Sequence, residues 1–182
     1  MKIIKTKLKD VCLISPRKIK DKRGYFQETY NSKKLDFLRK KRFVQENESF
    51  SRYKGTFRGI HFQRNPFAQD KLVKVVNGEI LDFVIDLRKN SKTFLKSEIF
   101  LLSDTNNKLL WIPKGFGHGF LTLKNNTIIT YKVTKTYSKM HDDGISIFDK
   151  KINLQTRLKL KKFIISKKDK NLPQLDLKKI YF

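Results

Sequence analysis

The chain has 182 residues, enough for one domain with a real core, and 42 Lys and Arg against 17 Asp and Glu give a formal charge of +25. Its single cysteine, Cys12, excludes an internal disulfide and fits a reducing cytosol; no run has the length or apolarity of a signal peptide or transmembrane span. Nucleic acid is the first partner such a charge suggests, but the cations are scattered over KKLDFLRKKR, RKNSK, KLKKF and SKKDK, and a positive field that attracts a small anionic substrate uses them equally well. A soluble cytoplasmic protein with neither a nucleic-acid nor a membrane partner is expected.

Residues 3–8 and 11–14 read as short strands, and Asp21-Lys22-Arg23-Gly24 as a turn before the alternating run YFQETY. Asn31 or Ser32 caps a short helix in SKKLDFLRKKR, with Leu35 and Leu38 on one side. FVQENESFS is a strand and RYKG its turn. The centre of the chain is Thr56 to Asp86, where Asn77-Gly78 separates KLVKVV from EILDFVID; Asn-Gly supplies the positive φ angles of a two-residue hairpin turn. That hairpin pairs Val75 with Ile80 and Val73 with Asp82, and puts Lys71, Val73, Val75, Ile80, Asp82 and Val84 on one face. Lys71 and Asp82 become diagonal neighbours on a mostly apolar surface, where a lysine needs a counter-charge.

Further on, SKTFLKSEIFLLSD holds a strand, and Thr105-Asn106-Asn107 turns into KLLWIPKGFGHGFLTL, whose Pro113, Gly115, Gly117 and Gly119 exclude a helix and allow close backbone approach around His118. TIITYKVTKTY alternates, so Tyr131 points inward with Ile129 and Val133. GISIF is the last clear strand before a Lys-rich tail containing ISKKD. Many short strands between turn signals, with no linker or repeat, predict one all-β domain over residues 1–182: a jelly roll, or double-stranded β-helix, with a short N-terminal helix.

Only three histidines are present, His61, His118 and His141, and RGIHFQRN lacks the paired imidazoles of a barrel metal site, so neither a metal nor another cofactor is expected. No nucleophile elbow or phosphate-cradling glycine loop appears. What remains is acid–base chemistry by a histidine, an inward tyrosine and nearby cations, which fits removal of a proton next to a carbonyl.

On RGYFQETYN, FVQENESFS, FRGIHFQ, PFAQDKLVKVVNGEILDFVIDLR, LLWIPKGFGHGFLTL, TYKVTKTY and ISKKD, the chain resembles the dTDP-4-dehydrorhamnose 3,5-epimerase family over nearly its whole length. The resemblance implies a metal-independent, cupin-like isomerase. It implies a homodimer that inverts C3 and C5 of dTDP-4-dehydro-6-deoxy-D-glucose on the way to dTDP-L-rhamnose for polysaccharides. It implies His61 as the base with Asp169 as its partner, Tyr131 as the proton donor on the opposite sugar face, and Lys71 at the enolate oxygen. Arg58 and His118 then lie against sugar and diphosphate. Nucleotide contacts fall on Arg23, Glu28, Gln45, Glu46, Asn47 and Lys168, with Phe26 lining the site and Tyr137 stacking on thymine. Asp142 replaces the family's usual glutamate, and Ile152-Asn153-Leu154-Gln155 replaces its Ile-x-Trp-Pro; a single-centre epimerase or ketoisomerase of another nucleotide-4-ketosugar is the alternative these departures leave open.

Overall fold

The computed structural model describes residues 1–158, 162–179 and 181–182. Its strands are β1 (Lys2–Lys5), β2 (Cys12–Ser15), β3 (Lys18–Asp21), β4 (Gly24–Gln27), β5 (Gln45–Ser51), β6 (Thr56–Gln63) and β7 (Lys71–Asn77). Then come β8 (Glu79–Asp86), β9 (Ser97–Ser103), β10 (Leu109–Ile112), β11 (Phe116–Thr122), β12 (Thr127–Val133), β13 (Asp142–Gly144) and β14 (Ile164–Ile165), with short helices α1 (Leu154–Arg157) and α2 (Lys167–Lys170). One sheet runs β1-β2-β10-β7-β12-β5 and a second β13-β6-β11-β8-β9, with β14 parallel to β6 and β3-β4 a separate hairpin. This is the expected jelly roll.

Period-two alternation builds the layers. In β10, Leu110 and Ile112 face the space between the sheets, with Val73, Val75, Ile129, Ile80 and Val84, while Leu109 and Trp111 face outward against Leu35 and Leu38. The outer face of the second sheet, with Phe57, Phe83 and Ile85, is covered by Ile145, Ile147, Leu154 and Leu175 from the C-terminal segment. Each fully buried side chain of this size contributes about 1.5–3 kcal/mol, so three apolar interfaces hold the two sheets and their cover.

Three sequence expectations are corrected. First, β7 and β8 do not form a hairpin: β7 pairs with β10 and β12, and β8 with β11 and β9, in opposite sheets. Gly78, at φ +92°, turns the chain across the sandwich, exchanging backbone and side-chain hydrogen bonds with Asp104. The facing of side chains survives, because either arrangement buries Val73, Val75, Ile80 and Val84 in one interior. Lys71 and Asp82 therefore look toward each other from opposite sheets instead of sharing a face.

Second, SKKLDFLRKKR holds only a 3₁₀ turn over Asp36–Leu38. Its two fully buried anchors, Leu35 and Leu38, are three residues apart, which one tight turn satisfies, and the cations that follow offer nothing to extend it. Third, the last sheet strand of that region is Asp142–Gly144, not GISIF. Ile145 exchanges both backbone hydrogen bonds with Ile60, after which Ser146 donates to the Pro173 carbonyl and the chain leaves the sheet.

Candidate active site

A cleft of about 500 Å³ opens between the sheets, lined by Arg58, His61, Lys71, His118, Tyr131 and Asp169 among others. A smaller lobe of about 190 Å³ shares His61, Lys71, Tyr131 and Lys168 with it and adds Gln45, Asn47, Tyr137 and Asp142. Among the described residues, no three His, Cys, Asp or Glu side chains converge as a metal-ligand set, and no helix is long and apolar enough to cross a membrane.

Strand β6 delivers two of these groups by breaking its own alternation. Opposite β11 the register runs His61 to His118 but Arg58 to Phe120, so three steps on β6 match two on β11. This bulge brings Arg58 and His61, an odd number of residues apart, onto the same cleft. It is built on Gly59, which sits at φ +127°; a Cβ there would meet the Gly119 Cα at 2.5 Å and the His118 carbonyl at 2.9 Å.

Asp169 reaches this strand from the other end of the sequence. Its Oδ1 lies 2.9 Å from His61 Nε2, and its Oδ2 accepts the Gly59 N–H at 3.1 Å. The Ser166 side chain caps the first turn of α2 by accepting the Asp169 N–H at 3.0 Å. Burial alone would raise the Asp169 carboxyl, but the hydrogen bond and charge of His61, with the bonds from Gly59 and Ser166, hold it below the ordinary carboxylate range. An ionised carboxylate only accepts, so His61 carries its proton on Nε2 and leaves the Nδ1 lone pair free.

The other strands add the remaining groups. Lys71 opens β7, and burial pushes its ammonium down to about 8, with the charges of Asp82 and Asp142 pulling the other way. Tyr131 on β12 is half-buried, and burial raises its phenol, so it is a neutral proton carrier near neutral pH. His118 on β11 is buried, its Nε2 2.9 Å from Asp82 Oδ2. Arg58 is held over the cleft by Ser51 Oγ and the Phe50 carbonyl.

In the smaller lobe, Asp142 accepts from Lys168 Nζ and from the Tyr137 hydroxyl at 3.1 Å. The Tyr137 loop is tethered by three glutamines, of which the sequence reading singled out Gln45 as a nucleotide contact and passed over Gln63 and Gln69. Gln45 accepts from the Tyr137 N–H, Gln63 donates to the Thr136 carbonyl and accepts the Ser138 N–H, and Gln69 donates to the Lys135 carbonyl.

Four expected contacts lie away from this cleft. Glu46 points to the opposite face of β5 from Gln45 and Asn47, where it pairs with Lys132 at 2.6 Å. On the β3–β4 hairpin and just after it, Arg23 pairs with Asp21, Glu28 with Asn31 and Lys34, and Phe26 is 69% exposed. Sequence reasoning also missed the Ser166 cap, although Ser-x-x-Asp is a helix-start signature, and the Gly59 bulge, which an isolated glycine in a strand signals.

The family model described as dTDP-4-dehydrorhamnose 3,5-epimerase matches residues 5–176 of this chain. The dTDP-4-dehydrorhamnose 3,5-epimerase of Methanothermobacter thermautotrophicus is 42% identical over 182 residues, covering 99% of this chain and 97% of that protein. The crystal structure of the dTDP-4-dehydrorhamnose 3,5-epimerase from Bacillus anthracis with TDP and PPi bound gives a TM-score of 0.90 at 46% identity, over 96% of this chain and 99% of that one. The dTDP-6-deoxy-D-glucose-3,5-epimerase of Legionella pneumophila, in complex with dTDP-4-keto-L-rhamnose, gives 0.89 at 35% identity, over 97% and 93%.

Proposed function

The chain belongs to the dTDP-4-dehydrorhamnose 3,5-epimerase family, and we propose that it inverts C3 and C5 of dTDP-4-dehydro-6-deoxy-D-glucose by two rounds of deprotonation and reprotonation in the His61 cleft. The observation that carries this is the His61–Asp169 pair, at 2.9 Å, opening onto one cleft with Lys71 and Tyr131. His61 Nδ1 takes the proton from the carbon next to the C4 ketone, and the C–H electron pair moves into the carbonyl to give an enolate. Asp169 stabilises the imidazolium that forms. The Lys71 ammonium sits by the enolate oxygen, which is where a fixed cation lowers the barrier most. Tyr131 then gives its hydroxyl proton to the same carbon from the opposite face, which inverts the centre; both residues recover their protonation states from solvent.

The same reading assigns the smaller lobe to the nucleotide, with Tyr137 offering a ring for thymine and Gln45, Asn47, Asp142 and Lys168 polar contacts. Arg58 and His118 serve the diphosphate and sugar. Arg23, Phe26 and Glu28 then act across a homodimer, their hairpin completing the neighbouring copy's site. An exposed Phe26 beside exposed Ile19 and Tyr25 supports such a contact. The metal-free electrophile is Lys71, and the product is the intermediate for dTDP-L-rhamnose.

The test is incubation with dTDP-4-dehydro-6-deoxy-D-glucose in D₂O, with deuterium located by NMR. Label at both C3 and C5 in inverted product is the expected result. Label at one carbon only would make the protein a single-centre epimerase, and no label would end the acid–base account.

A further inference from the structure

Outside the His61–Asp169 pair, the buried carboxylates fall into two kinds. Asp70, Asp86 and Asp149 have both oxygens satisfied: Asp70 by Lys41, the Lys114 N–H and Thr134, Asp86 by Arg88, Ser91 and Thr93, and Asp149 by the backbone N–H groups of Lys151, Ile152 and Leu175. Each ties loops together, so their burial is explained by the fold.

Asp82 is different. It is fully buried on the inner face of β8 between Ile80 and Val84, with Phe120 and Phe100 as its strand partners. One oxygen meets His118 Nε2 at 2.9 Å; the other has no hydrogen-bond partner among the described residues. It braces no loop and caps no helix. A carboxylate with one contact in an apolar interior is a net cost to the fold, and an apolar residue of similar size would serve packing better.

We infer that Asp82 is a positioning residue of the reaction, fixing the His118 ring from behind and supplying the negative charge that keeps Lys71 an ammonium. This rests on the proposed role of Lys71 at the enolate oxygen. Asp82 does not line the cleft; it lies behind His118, which does. Among the described residues, the charged and titratable groups that line the two lobes with Lys71 are Arg58 and His61 on β6, His118 on β11, Tyr131 on β12, Tyr137 just after it, Asp142 on β13, and Lys168 and Asp169 on α2. Of the carboxylates, Asp169 is held by His61, and Asp142 is already engaged by Lys168 and the Tyr137 hydroxyl. Asp82 shares one oxygen with His118 but has no partner on the other among the described residues, whereas Asp169 is held on both oxygens, so Asp82 is the carboxylate with charge left to act on Lys71. Burial drives Lys71 toward the neutral amine, which would be useless at an enolate oxygen, and Asp82 opposes that drift.

The experiment compares wild type with Asp82→Asn, which keeps the shape and an acceptor for His118 while removing the charge. The midpoint of Lys71 titration is read directly, by competitive acetylation of the folded protein across pH with peptide-level mass spectrometry. Burial places it at about 8 in wild type, and it is expected to fall by roughly one unit in Asp82→Asn, since one unit charge in a protein interior acts on that scale. The alkaline limb of kcat/KM should move down with it, and Asp82→Glu, which restores the charge, should move both back. An unchanged Lys71 midpoint in Asp82→Asn overturns the inference. A midpoint that falls while the alkaline limb stays in place instead overturns Lys71 as the enolate's cation, and with it Asp82's part in the reaction. Should Asp82→Asn not fold, Asp82→Ser carries the same comparison with the same outcomes.

Discussion

If His61 is the base as proposed, replacing Asp169 by Asn exposes how much of its competence is borrowed. The carboxylate accepts from two donors at once, His61 Nε2–H and the Gly59 N–H. An amide has one acceptor and one donor end, and neither placement satisfies both neighbours. With its oxygen toward Gly59, the amide NH₂ faces His61 Nε2 and forces the proton to Nδ1, so the lone pair that takes the substrate proton is lost. With its oxygen toward His61, the NH₂ confronts the Gly59 N–H, which leaves a buried donor unsatisfied at about 1–3 kcal/mol. Either way the imidazolium formed in the reaction loses its counter-charge.

A pair of charges 2.9 Å apart is worth about 6 kcal/mol gross at an effective dielectric of ~20. Desolvation of buried Asp169 offsets part of that, which leaves about 3–5 kcal/mol, or roughly 10²–10⁴ in rate. The expected outcome is a kcat loss in that range, bounded by the loss in His61→Ala, with dTDP affinity by calorimetry nearly unchanged. A stability effect accompanies it. The Asp169 carboxyl is depressed in the folded state, so its contribution is present above the unfolded value of about 3.9 and is lost as pH falls through the lower folded value. Asp169→Asn should therefore melt below wild type at neutral pH, with the gap closing in acid. Wild-type turnover in a folded Asp169→Asn would remove the pair from the mechanism.

Tyr131→Phe keeps the ring and its packing and removes only the hydroxyl; in D₂O it should still exchange a substrate α-proton through His61 while inverted product falls by roughly 10² or more, and equal loss of both would move the acid elsewhere. Gly59→Ala should lower Tm by roughly 5–15 °C, from about 1–3 kcal/mol of φ strain plus contact with backbone atoms that cannot yield, and a melt within a degree or two of wild type would show that β6 reroutes freely. Dialysis against EDTA should leave turnover intact, because Lys71 already places a cation at the cleft; loss restored by a divalent ion would contradict that. Sedimentation at micromolar concentration should show a dimer, and Phe26→Asp should both weaken it and raise KM; a fully active monomer would take the β3–β4 hairpin out of the site.

Strand positions were legible wherever alternation meets burial. Leu110 and Ile112 against Leu109 and Trp111, or Tyr131 with Ile129, follow from period two alone. Partner choice was not, because it is decided by distant residues: Asn77-Gly78 carries a strong local hairpin signal, yet Val73 pairs with β10 and β12 and Val75 with β12, which leaves β8 to the other sheet. Glu46 shows the converse. Its own alternation with Gln45 and Asn47 already puts it on the far face of β5, and the family resemblance overrode that parity. Asp169 is 108 residues from His61, so no local pattern links them; the sequence offers only the Ser-x-x-Asp cap, which shows that a helix starts there but not what its first turn touches.

What the fold adds is a reason for the cost of the site. The interior between the sheets is filled by Val73, Val75, Ile80, Val84, Ile129 and their neighbours, and the same inner faces carry Lys71, Asp82, His118 and Tyr131. Each of these polar groups occupies a position where alternation calls for an apolar one. Burial drives Lys71 toward neutral, holds Tyr131 protonated and leaves one Asp82 oxygen unpaired; on the proposed mechanism the protonated Tyr131 is the acid, and the Asp82 charge is what opposes the loss of the Lys71 ammonium. Converting them to apolar residues should therefore raise stability as it abolishes turnover, the relation expected when a protein's interior doubles as its active site.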